Sequence, residues 1–94
     1  MKTIHKVQFG TFEELYNRRC VGGSKRLHRG AKPIHLEKQG DVITLWAEVN
    51  TSEPLADYQW HFVGTGLPIP DEWQHLGTIQ TGGFVWHFYW SPGG

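Results

Sequence analysis

Side chains from Lys2 to Phe9 alternate between polar and apolar, the period-2 pattern of a strand with one face turned to a core. Gly10 interrupts it. Thr11-Phe12-Glu13-Glu14 then has the form of a capping box, with Thr11 placed to accept from the Glu14 backbone N–H. Phe12, Leu15, Tyr16 and Cys20 share one helical face. Glu13 and Glu14 suit the positive end of a helix and Arg18 and Arg19 its negative end, so the spacing predicts a short helix over about 12–20. Over residues 21–33 (VGGSKRLHRGAKP) no apolar period survives. Gly22, Gly23, Gly30 and Pro33 punctuate the segment, which reads as an irregular, basic, glycine-containing loop.

Alternation returns in Ile34–Lys38 and Val42–Asn50, two strands around the short turn Gln39-Gly40-Asp41. Ile43, Leu45, Ala47 and Val49 take one face of the second strand, leaving Thr44, Trp46, Glu48 and Asn50 on the other. A polar turn with Pro54 leads into Asp57–Val63, where Tyr58, Trp60 and Phe62 oppose Gln59, His61 and Val63. The loop GTGLPIP and a turn near Asp71–Gln74 precede a last hairpin, Leu76–Gln80 and Phe84–Trp90 around Gly82-Gly83. Both faces of the final strand are apolar or aromatic, which places it centrally or at a subunit contact. Short turns between successive strands favour antiparallel pairing. The expected fold is a single domain over residues 1–94, mainly β at the border of α+β. It is a curled antiparallel sheet of about five to six strands carrying one short helix.

A chain of 94 residues buries a modest share of its surface, and association of copies is one way to add to it, so a homo-oligomer is expected. Five Trp, five Phe and three Tyr are spread over the predicted elements, first of all as core. Cys20 is the single cysteine, which excludes an internal disulfide and a Cys-rich zinc site and fits a reducing compartment. MKTIHKVQFG lacks the apolar core of a signal peptide, and no stretch approaches the roughly 20 apolar residues of a membrane span. A cytoplasmic protein without a membrane partner is expected.

Net charge is zero, but it is unevenly distributed. Residues 1–38 hold all nine Lys and Arg against Glu13, Glu14 and Glu37, and residues 39–94 hold six acids and no Lys or Arg. Arg18, Arg19, Lys25, Arg26, Arg29 and Lys32 cluster in the basic segment, where guanidinium forks and Gly22-Gly23-Ser24 backbone amides suit a phosphate. The competing reading is a solvated loop that balances the acidic half. GGSK is not a phosphate-binding loop of the nucleotide-hydrolase type, because the required spacing is missing. Zero net charge and the acidic half argue against a large nucleic-acid footprint.

Trp46 and Trp60 lie on predicted strands where an exposed ring would stack on a base, although such rings are more often core. Strand parity separates Trp46 from its apolar neighbours and makes it the best candidate for an exposed ring. Gly64-Thr65-Gly66 either lets a ligand approach the backbone at Thr65 or serves positive φ in a stiff turn, the second being favoured. His5, His35, His61 and His87 fall on predicted strands, but no zinc spacing occurs, and His87 reads as a satisfied, partly buried imidazole. No nucleophile signature or paired-carboxylate geometry is present, so neither catalysis nor a metal or cofactor is expected.

GAK before a strand, a hairpin leading into LWAEV, FVGTGLPIP, and a closing LGTIQTGGFVWHFY resemble a family of short proteins of bacteriophages and prophages, catalogued as a domain of unknown function. The opening MKTIHK also resembles it, whereas Glu14–Arg29 departs from the pattern and looks like an elaboration. The resemblance implies phage origin and a compact β fold, with no established activity. Together with the basic segment and the aromatics it leads to an expected function. This is a non-enzymatic phage accessory protein in the bacterial host cell that sequesters a small anionic nucleotide, such as an immune second messenger. The alternative is a protein-binding inhibitor of a host or defence enzyme.

Overall fold

The computed structural model describes residues 1–17 and 22–92. Seven strands and one short helix occur among them: β1 (Lys2–Thr11), α1 (Phe12–Asn17), β2 (Gly22–His28), β3 (Lys32–Gln39), β4 (Val42–Asn50), β5 (Leu55–Gly64), β6 (Gln74–Thr81) and β7 (Phe84–Pro92). The mainly β, antiparallel class with one short helix is as the pattern predicts. The strands divide into two sheets, of order β1-β4-β3 and β2-β5-β7-β6, and no closed barrel forms.

Besides the division of seven strands into two sheets, one detail differs from the sequence expectation. The segment 21–33 is not an irregular loop: Gly22–His28 is a strand paired antiparallel with β5, from Gly22↔His61 to His28↔Leu55. Its apolar period is invisible because Leu27 is the one buried hydrophobic it contributes. Gly22 and Gly23, which read as flexibility, are close-packing positions. A Cβ on Gly23 would lie 2.9 Å from the Trp60 Nε1, and one on Gly22 would collide with the Trp60 carbonyl. α1 is described over Phe12–Asn17, and the remainder of the predicted helix, with Arg18, Arg19 and Cys20, lies outside the described residues. Its start is as expected: Thr11 Oγ1 accepts from the Glu14 N–H at 3.1 Å. The return bond runs from the Thr11 hydroxyl to Glu14 Oε1 at 2.9 Å.

The sheets bury facing sets of side chains. Ile43, Leu45, Ala47 and Val49 of β4 line one layer, as their shared parity requires, and Tyr58, Trp60, Phe62, Phe88 and Trp90 line the other. Rings interlock across the interface, where Phe9 lies 4.6 Å from Trp60 and 6.1 Å from Phe88, and within the four-stranded sheet Tyr58 lies 4.5 Å from Trp90. Several buried polar groups of the core are paired, whereas His61 Nε2 and Trp86 Nε1 are buried without a partner among the described residues. Trp90 Nε1 donates to Gln74 Oε1 at 2.9 Å, and the Tyr58 hydroxyl accepts from the Ala31 N–H at 3.1 Å while donating to the His28 carbonyl.

The two sides of this sandwich are unlike. At one, the edge strands β3 and β6 pack so closely that a Cβ on Gly77 would sit 2.7 Å from Leu36 Cβ. At the other, the edge strands β1 and β2 share no strand pairing, and a groove of about 470 Å³ runs between Ile4–Gln8 and Lys25–Leu27.

Candidate functional site

The open seam between β1 and β2 collects charge of one sign. Lys6 on β1 and Lys25 and Arg26 on β2 line it with His5, and no carboxylate does. Register explains the arrangement. Lys25 pairs with Tyr58 and so faces the inner side of its sheet, where it is half-buried. Arg26 pairs with Asp57 on the outer side, its Nε 3.4 Å from Asp57 Oδ1. Among the described residues, Lys6 and Lys25 have no carboxylate within 4 Å. Beside the groove, Gly22, Gly23, Ser24 and Lys25 join Phe9, Leu15 and Trp60 around a smaller recess of about 210 Å³. Glu14 also lines that recess, so the larger groove is the more anion-friendly of the two.

Imidazoles bracket the end of the seam. The rings of His5 and His28 lie 6.0 Å apart. His28 Nδ1 is 2.6 Å from the Glu53 carbonyl oxygen, which can only accept, so Nδ1 carries the proton.

A second assembly lies on the outer face of the three-stranded sheet. Lys6, Trp46 and His35 occupy one cross-strand row, with the His35 and Trp46 rings 5.8 Å apart. The adjacent row is Ile4, Glu48 and Lys32. Trp46 is half-buried there, outside the core, as its parity predicts.

The remaining sequence candidates disperse. Trp60 is a core ring, 4% exposed, and not a free stacking surface. Arg29 is exposed in the β2–β3 turn, its N–H donating to the Pro54 carbonyl at 2.8 Å. Thr65 is far along the chain on the outer face of the four-stranded sheet, its hydroxyl 2.9 Å from His87 Nε2. The other nitrogen of His87 is 3.0 Å from the Thr78 hydroxyl, so His87 ties the GTG loop to the LGT strand and is satisfied on both sides. Lys25 and Arg26 therefore meet at the seam and Trp46 and Lys32 on the outer face of the other sheet, while Trp60, Thr65 and Arg29 join neither group. Lys6 escaped the sequence reading, and His5 entered it only as a strand histidine without zinc spacing. Lys6 is one polar member of an alternating strand until its pairing with a segment some forty residues away is known.

His61 and Trp73 form a separate stack, centroids 3.8 Å apart and 3° from parallel. Burial lowers the His61 pKa from the ordinary 6.5, and its Nε2 is buried with no hydrogen-bond partner among the described residues. No group of three or more His, Cys, Asp or Glu among the described residues is placed to hold a metal ion. No helix among them is long and apolar enough to cross a membrane.

A family model described as a domain of unknown function, DUF7352, matches residues 1–93. No curated protein and no solved structure matches the chain.

Proposed function

We propose that this chain, which belongs to the DUF7352 family, is a non-enzymatic binding protein that sequesters a small anionic ligand in the seam between β1 and β2. One observation carries the reading: the sandwich is shut at β3 and β6 but parted at β1 and β2, where Lys6, Lys25 and Arg26 gather without a lining carboxylate. β1 and β2 are each the edge strand of a sheet, and backbone N–H groups are donors that anions use in other folds. The bacteriophage-type pattern of the sequence makes a nucleotide messenger of anti-phage signalling the concrete ligand. Sequestration in the host cytoplasm, by an assembly of copies, is then the role.

Calorimetric titration with inorganic pyrophosphate and with a cyclic dinucleotide tests this. Binding should weaken with added salt and fall about tenfold in Lys25→Gln, the loss of one charge-assisted hydrogen bond. Absence of both heat and thermal shift with either probe refutes the reading.

A protein-binding inhibitor is the second reading, supported by an aromatic cluster at one end of the sandwich. Phe12 lies 6.2 Å from Tyr16 and 5.5 Å from Trp86, and Phe84 6.3 Å from Trp86. Tyr16 and Phe84 are 59% and 60% exposed, and large exposed rings of this kind anchor protein interfaces. A stoichiometric partner from host lysate that is lost in Phe84→Ser supports it; retention of the partner by that variant excludes this patch.

A further inference from the structure

We infer that the anion held in the seam carries a planar base, and that the base stacks on Trp46 on the outer face of the three-stranded sheet. This rests on the seam reading and assigns the residue that holds the base. β1 is a single strand separating the two places, and strand spacing is about 5 Å, so a compact ligand draped over its edge reaches both. Lys6 is common to them: it lines the seam and is also the direct cross-strand neighbour of Trp46.

The chemistry around Trp46 suits such a ligand. The large rings of β5 and the fully buried Phe88 and Trp90 of β7 enter the core, yet this indole stays half-buried outside it. Beside its row, Lys2, Thr3, Ile4 and Glu48 line a depression of about 450 Å³, with Ile4 58% exposed. An exposed aliphatic next to an indole offers a base an apolar floor. The carboxylates of this face are already occupied, Glu48 by Lys2 at 3.5 Å and Glu37 by His35 Nε2 at 3.4 Å. Lys6 and Lys32, in contrast, have no carboxylate within 4 Å among the described residues, which leaves positive charge beside the ring. An indole platform flanked by lysines is how sequence-tolerant nucleotide binding is built elsewhere.

Titration of ADP, ribose 5-phosphate and pyrophosphate against the full chain, Trp46→Ala, Trp46→Phe and Lys25→Gln tests the assignment. Base stacking predicts ADP binding on the order of tenfold or more tighter than pyrophosphate, which has the same number of phosphates. Trp46→Ala should abolish that preference and Trp46→Phe restore most of it, while Lys25→Gln weakens all three probes alike. Trp46→Phe also guards against a folding defect in the alanine variant. If ADP and pyrophosphate bind equally and neither Trp46 variant alters ADP, the base contact is overturned while the seam reading stands. If no probe binds, both fall.

Discussion

Gly77 sits where β6 meets β3, and replacing it with alanine probes how tightly the closed side of the sandwich is shut. The added Cβ would lie 2.7 Å from Leu36 Cβ and 2.9 Å from its Cδ2, against a carbon–carbon optimum of about 3.5–4.0 Å. Leu36 is buried, and its Cβ moves only with its backbone, so a rotamer change cannot relieve the first contact. The strands must part by close to an ångström. Overpacking of this kind costs about 1–3 kcal/mol, and the Gly77 φ of 158° denies alanine the offset that a stiffer unfolded chain gives at unstrained positions. A loss of about 1–3 kcal/mol corresponds to a fall in Tm of about 5–20 °C for a domain of this size. Gly64→Ala is the control: its nearest side-chain atom would be Trp86 Cζ3 at 3.8 Å, ordinary contact, so that variant should melt at or slightly above the parent. Thermal unfolding followed by circular dichroism reads both. Equal melting temperatures for the two alanine variants would refute the close packing of β3 on β6.

Three other outcomes are expected. Trp60→Ala should lose about 3–5 kcal/mol in urea denaturation, the cost of emptying an aromatic core position; a loss below about 1 kcal/mol would return this ring to the surface. Tyr58→Phe leaves the buried Ala31 N–H without its acceptor and should cost about 1–3 kcal/mol by the same measurement, whereas an unchanged midpoint would mean that water replaces the hydroxyl. His61 gives a pH dependence. Its folded pKa is lowered by burial, so the unfolded chain binds the proton more readily. Stability should therefore be unaffected above about pH 6.5 and decline as pH falls below that value toward the lowered folded pKa. His61→Gln should remove that part of the slope, and a slope identical in parent and variant would count against it.

Most of the strand framework was legible because alternation is a local signal. Val42–Asn50 declares its buried face through Ile43, Leu45, Ala47 and Val49, and Gly40 and Gly82-Gly83 mark their hairpins by adopting the positive φ such turns need. β2 was not legible, since Gly22 and Gly23 have low strand propensity and owe their place to the distant Trp60, Gly22 to its carbonyl and Gly23 to its indole. That dependence is tertiary, and no window of sequence contains it. The division into two sheets was hidden for the same reason, because it turns on β1 pairing with β4 across some forty residues. At the candidate site, residue chemistry was readable but grouping was not. Parity placed Trp46 outside the core, yet the same aromatic strand pattern that nominated Trp60 for stacking is what packs it inside.

Charge on a free strand edge has an ordinary explanation, since lysine there discourages pairing with other chains. That explanation covers Lys6 on β1 and Lys25 on β2 taken singly. It does not require that cations of both edges line one groove. Nor does it require an indole in the row beside Lys6, or carboxylates on that face drawn off by Lys2 and His35. Arg26 makes the contrast within a single strand: its outward neighbour Asp57 pairs with it, while Lys25, one residue earlier and facing the seam, is left without a carboxylate. Edge protection would be served equally well by pairing both. A lysine lining a groove without a carboxylate partner, one residue from a cation that has one, is the feature that the proposed anion accounts for.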